Sequence, residues 1–316
     1  MKLSKKLSHS ENTQSNITIN AQINRHDDKI SNLINGYKKF YNEYLTNHND
    51  LSQIYKDLVS KGQFPKALFV ACSDSRIDPA IVTKAQPGDI FAIRNVANLV
   101  PPYQNDMSTY HGTSSAIEFG VNNLGIENLV VMGHTYCAGV RASVAIVARD
   151  IMSNDKFVEK IQNKNIVISE NVIDLLPIEV VETLKVFSSN IQIDTEQKKQ
   201  NYITFLENHI KSTKHKNLSQ KNNEASFVNS WIKIATDVIK KILEEKFEDY
   251  IKNPDDFADY CAMELVKSSL NNLRQFPFIQ SKLANKELTL HGWFFDIKTA
   301  SMMYYDDCDK QYKAII

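Results

Sequence analysis

Two short clusters carry side chains able to do chemistry, Cys72-Ser-Asp-Ser-Arg76 and His134-Thr-Tyr-Cys137. Two thiolates and one imidazole are soft and borderline donors of the kind zinc accepts. Three protein donors leave a fourth tetrahedral position for water, a substrate or a movable carboxylate. Asp74 and Arg76 add a carboxylate and a guanidinium two residues apart. Each residue also has a plainer reading. A buried cysteine taken alone is more often a small apolar side chain than a ligand. A His-x-x-Cys pair arises by chance in many sequences, and Asp74 with Arg76 can be a structural ion pair. Position is what joins the clusters: each follows an apolar run that reads as a strand, and Gly133 and Gly139 flank the second.

The elements that must position these groups follow from pattern. Ala67-Leu-Phe-Val-Ala-Cys72 is short, apolar and preceded by turn residues, which reads as a buried strand. Ile90-Phe-Ala-Ile93 makes a second, introduced by Pro87-Gly88. Thr109 through Leu124 reads as helix, Asn128 through Met132 as strand, and another helix starts near Val140. Strands alternating with helices imply an α/β fold with a mainly parallel central sheet flanked by helices. Its active groups belong beyond the carboxyl ends of the strands, where neighbouring ends meet.

Before the first strand, residues 1–27 read as a polar flexible tail. Ile30, Leu33, Ile34, Tyr37 and Tyr41 then recur at helical spacing, and a second helix follows from Leu51 to Val59. Together they form an N-terminal helical arm at about 28–62. A single domain is expected over 28–316, broken by a polar insertion at about 185–224 in which Tyr202, Phe205 and Leu206 anchor a short helix. The helical pattern resumes at Phe227. Leu288 through Ile297 and Met302 through Tyr305 read as a C-terminal strand extension.

Composition narrows the function. The 37 basic and 37 acidic residues balance, which argues against a global field for nucleic acid or anionic membrane. The amino terminus turns polar too early for a secretory signal, and no apolar run is long enough for integral membrane association. Four scattered cysteines make no disulfide framework. A reducing, cytoplasmic location is therefore expected, compatible with thiolates kept for a metal.

The motifs in combination identify a family. CSDSR, PGDIFAIRNVAN, HGTSSAIEFGV and GHTYCAG, with Glu264 through Pro277 and HGWFFD farther on, resemble the β-class carbonic anhydrases, particularly the branch that includes the plant chloroplast enzymes. The resemblance runs from about Leu33 to Asp306. It implies one zinc per chain held by Cys72, His134 and Cys137, with Asp74 either a fourth ligand in a closed state or turned away to pair with Arg76. It implies reversible hydration of carbon dioxide to bicarbonate and a proton through zinc-bound hydroxide, since zinc lowers the pKa of water from about 16 toward about 7. Gln63 matches a glutamine that donates to bicarbonate, and Phe91 and Val96 match apolar pocket positions. Three residues depart from the pattern. Phe119 stands where plant-like members often carry tyrosine, Ala138 replaces a usual glycine, and Ala300 stands where the final hairpin often has glycine. If that last position requires positive φ, alanine costs about 1 kcal/mol. The family also implies a homodimer or higher homo-oligomer in which the arm crosses to the neighbour and the pocket forms at the interface. Three other readings compete with this one. A zinc-stabilised non-catalytic binding or scaffold protein would keep the ligands without turnover. A zinc-free thiol enzyme fits poorly, since Cys72 and Cys137 lack CxxC spacing. Nucleic-acid binding fits poorly too, since the lysine-rich insertion carries aromatics only at its start.

Overall fold

The computed structural model describes residues 28–45, 50–106, 108, 110–162, 164, 166–186, 196–217 and 226–315. The tail expected over 1–27 lies outside the described residues, as do 187–195 and 218–225 of the expected insertion. The chain divides into two compact units, Met1–Gln63 and Phe64–Ile316.

In the first unit, α1 spans Asp28–Leu45 and α2 spans Asp50–Lys61. Phe40 and Tyr44 each pack edge-on against Tyr55, so the aromatic residues of the two helices make a small shared cluster. Leu33, Tyr37 and Tyr41 still face solvent, Leu33 being 70% exposed.

The second unit is built on six strands: β1 Ala67–Cys72, β2 Ile90–Asn95, β3 Asn128–His134, β4 Thr289–Asp296, β5 Ser301–Asp306 and β6 Gln311–Ala314. Their order in the sheet is β2-β1-β3-β4-β5-β6. The first four are parallel, and β5 and β6 add antiparallel beyond β4, leaving β6 at the edge. β1 and β3 are buried along nearly their whole length, which is why they read as unbroken apolar runs rather than alternating ones.

The helices after the first unit are α3 Pro79–Thr83, α4 Gly112–Glu118, α5 Ala138–Ile151, α6 Asp155–Gln162, α7 Ile178–Val186, α8 Glu196–Asn217, α9 Phe227–Ile232, α10 Thr236–Lys252, α11 Pro254–Leu273 and α12 Pro277–Ala284. The helix expected over Thr109–Leu124 is shorter as α-helix, and a π-helical turn continues it over Phe119–Asn123. α11 covers β3 and β4 with a face that includes Phe257, Cys261, Leu265, Val266 and Leu273, and it is started by Asn253 accepting from Asp256 N–H ahead of Pro254.

The expected insertion carries more helix than its lysine-rich sequence implied. α8 runs for 22 residues, with Leu206 fully buried and Tyr202, Phe205 and Ile210 partly so. These positions recur at three- and four-residue steps, a narrow stripe that its polar surroundings obscured. Tyr202 Oη accepts from Ile168 N–H at 2.8 Å, and Lys185 pairs with Glu207 at 2.9 Å.

The hairpin between β4 and β5 explains the departure at Ala300. Asp296 organises the turn by accepting from Lys298 N–H and Thr299 Oγ1, and Ala300 leaves it at φ 56°. A Cβ in this left-handed region is unfavourable. Ala300→Gly is therefore expected to stabilise the protein by up to about 1 kcal/mol, read as a rise in denaturation midpoint. An unchanged or lower midpoint would contradict it.

Candidate metal centre

Cys72 ends β1 and His134 ends β3. These strands are neighbours in parallel register up to Ala71 opposite Met132, so both deliver their next residues to the same edge of the sheet. Cys137 follows as the N-cap of α5. Two close approaches let the turn sit there. A Cβ on Gly133 would lie 2.7 Å from Val266 Cγ2, and one on Gly139 would lie 2.8 Å from Val96 Cγ1. Between the ligand positions Tyr136 adopts φ 56°, which costs a residue with a Cβ about 1–2 kcal/mol.

The donor atoms of Cys72, His134 and Cys137 all lie within 4.8 Å of one another, and all three residues are buried. His134 Nδ1 is 2.8 Å from the Thr135 carbonyl oxygen, which can only accept, so Nδ1 carries the proton. Nε2 is thereby left with its lone pair free, and it is buried without a partner. Leaving such a nitrogen unsatisfied costs about 1–3 kcal/mol. The sulfurs are 3.9 Å apart, and two ligands about 2.3 Å from a tetrahedral zinc are separated by about 3.8 Å. The donors present fit a zinc ion.

The thiols themselves point the same way. The Cys72 thiol is pulled well below its usual range because its thiolate accepts from Cys137, against the opposing effect of burial. Cys137 is pushed well above its range by that same bond and by burial. A second negative sulfur would stand 3.9 Å from the first, which disfavours charge on both. A divalent cation removes that conflict, since coordination deprotonates a thiol outright.

The loop after Cys72 is tied down by charge. Asp74 accepts from Arg76 Nε at 2.9 Å and Nη2 at 2.6 Å, and this fork holds its carboxyl far below the usual carboxylate range. Asp74 is thus paired with Arg76 and stands outside the three-donor cluster. Arg76 Nη2 also donates to the Tyr136 carbonyl oxygen at 3.1 Å, joining the two motifs. Sequence reasoning passed over Arg94 inside PGDIFAIRNVAN. Its guanidinium donates to Cys72 O, Asp74 O and Asp78 Oδ2, while Asp78 caps α3. An arginine within a strand next to the ligand strand was the available signal. Thr135 does the same for the second loop: its N–H donates to Phe295 O, and its Oγ1 donates to Asp296 and accepts from Ile297 N–H.

The remaining expected residues divide. Phe91 and Phe119 come together with ring centres 6.0 Å apart. Val96 packs where a Cβ on Gly139 would stand and also lines an open cleft of about 910 Å³ with Asn95, Tyr110 and Trp231. Trp231, another residue not foreseen, donates through Nε1 to Val96 O at 2.8 Å. Ala138 is exposed and is the first residue of α5, so its methyl is uncrowded and its N–H has no acceptor within the helix. Gln63 is exposed and closes the first unit.

The carbonic anhydrase family model matches residues 67–216 and 209–302, well over half of the chain. The chain belongs to the β-class carbonic anhydrase family. A carbonic anhydrase of Synechocystis sp. is 24% identical over 277 residues, which cover 88% of this chain and 71% of that protein. The β-carbonic anhydrase CcaA shares the fold with a TM-score of 0.58 at 23% identity, over 91% of this chain and 100% of its own. One of two β-carbonic anhydrases of Sordaria macrospora, described as tetrameric, gives 0.50 at 20% identity, over 87% and 93%. The chain shares the mainly parallel α/β sheet of these neighbours.

The donor set predicts one zinc per chain by elemental analysis. Cys72→Ser, His134→Ala and Cys137→Ser should each empty the site, because a tetrahedral site with two remaining protein donors loses most of its affinity. Cys308→Ser, at an exposed cysteine outside the cluster, should keep its zinc. Full metal content in Cys72→Ser would contradict the assignment.

Proposed function

We propose that this chain catalyses reversible, zinc-dependent hydration of carbon dioxide to bicarbonate and a proton, with Cys72, His134 and Cys137 as the zinc ligands. The observation that carries the reading is the convergence of two thiols on the unpartnered, buried Nε2 of His134. When bound, zinc supplies a Lewis acid that acidifies water into the neutral range. Asp74 stays charged because Arg76 donates to it twice, and its remaining lone pairs make it the acceptor that orients water. Arg76 keeps that carboxylate turned away from the ligand cluster. Phe91, Val96 and Phe119 provide apolar surface for carbon dioxide, which has no hydrogen to donate and little need of polar contacts. With phenylalanine at 119 the pocket lacks a hydroxyl there, so the Ala138 N–H is the donor offered to bicarbonate.

The same reading makes the functional unit a homodimer or a higher homo-oligomer. Leu33, Tyr37 and Tyr41 on α1 leave a contiguous apolar stripe exposed, more than a solvent-facing helix keeps. A second subunit covers it and completes the pocket. The tetrameric neighbours are consistent with such assembly. A cytoplasmic location keeps both ligand thiols reduced.

Asp74→Asn should retain zinc and lower kcat by about 10–100-fold, the usual range for residues that support a metal site without ligating it. Stopped-flow hydration run beside zinc analysis separates the two. Loss of zinc equal to that of Cys72→Ser would make Asp74 a structural ligand. A folded, zinc-loaded wild-type protein without activity from neutral to alkaline pH would make the chain a scaffold.

A further inference from the structure

Tyr136 lies between two ligand positions in a conformation that aromatic residues rarely take. Such a conformation persists only where its surroundings over-determine it. Its carbonyl oxygen accepts from Arg76 Nη2. The Arg141 guanidinium, paired with Asp255, lies 5.6 Å from its ring centre. Its N–H donates to Asp259 Oδ1 at 2.7 Å, a bond that reaches across 123 residues to α11. Arg76 belongs to the ligand-bearing loop itself, whereas Asp259 stands on the long helix packed over β3 and β4. Phe257, Ala258 and Cys261 around it are buried, so its position along that helix is fixed. Asp259 is half-buried, and burial pushes its carboxyl up while the Tyr136 N–H favours the charged form. A carboxylate there costs desolvation, and the turn beside the metal ligands receives its acceptor.

We propose that Asp259 is a positioning residue for the metal centre, holding Tyr136 in the left-handed conformation that aims His134 and Cys137 at one point. The inference rests on the zinc reading of that cluster. Without the acceptor, the Tyr136 N–H loses its partner and the turn relaxes toward negative φ. The His134 and Cys137 donors then separate. The zinc ligands themselves are unchanged, so the loss appears in how firmly the ion is held.

The test follows zinc release from the full-length, zinc-loaded protein into a chromogenic chelator, together with the visible spectrum of the cobalt-substituted form. Asp259→Ala should release zinc about 10–100-fold faster and shift the cobalt bands. Asp259→Asn, whose amide oxygen still accepts, should stay close to wild type. Combining Asp259→Ala with Tyr136→Gly should recover slow release in part, since glycine takes positive φ without the clamp. Where the alanine variant does not fold, Asp259→Glu keeps the charge but moves the acceptor, and it should also release zinc faster. Wild-type release and spectrum in the alanine or glutamate variant would overturn the inference while leaving the zinc reading intact. Fast release from Asp259→Asn, or no recovery with glycine at 136, would overturn it as well. A wild-type protein that takes up no zinc would instead remove the reading beneath it.

Discussion

Two thiols held 3.9 Å apart at the buried ends of neighbouring strands face a conflict that protein groups alone do not resolve. One can ionise by accepting from the other, but both cannot carry charge at that separation in a poorly solvated place. The imidazole beside them presents a buried nitrogen with no hydrogen-bond partner. A cation with a preference for sulfur and nitrogen satisfies all three at once. Much of the local structure serves to keep these donors together.

The means are polar and long-range. Arg94 fastens the first loop through two backbone carbonyls and Asp78. Thr135 fastens the second through β4 and the turn that follows it. Arg76 bridges the two by holding Asp74 with one side of its guanidinium and Tyr136 O with another contact. The apolar core supplies stiffness behind them, with β1 and β3 buried on both faces. Supporting bonds of this kind orient ligands and tune their basicity. They also offset the left-handed backbone at Tyr136, which the turn would not adopt unaided.

What the sequence made legible was what local pattern encodes. ALFVAC and NLVVMGH announce buried strands by composition, and their terminal Cys72 and His134 announce donors by type. The family resemblance marks Ala300 as standing where the final hairpin often has glycine, and its φ of 56° is a value that glycine favours. Residues defined by distant partners stayed hidden. Asp259 looks like any acidic residue in the first turns of α11, where carboxylates are favoured anyway. Trp231 reads as an apolar helix residue, although its indole N–H is spent on Val96. The full length of α8 was masked because Leu206 and its neighbours form a thin stripe among lysines. β6 has only four residues, and its Tyr312 owes its place to the carbonyl of Met263 on α11.

The fold brings two sulfurs and one nitrogen to within 4.8 Å of one another, and zinc held by them keeps a fourth position for a light atom. X-ray absorption at the zinc edge of the loaded protein reads this directly. The expected shell holds two sulfur neighbours at about 2.3 Å and two nitrogen or oxygen neighbours at about 2.0–2.2 Å. A shell of three or four sulfurs, or one with none, would contradict it.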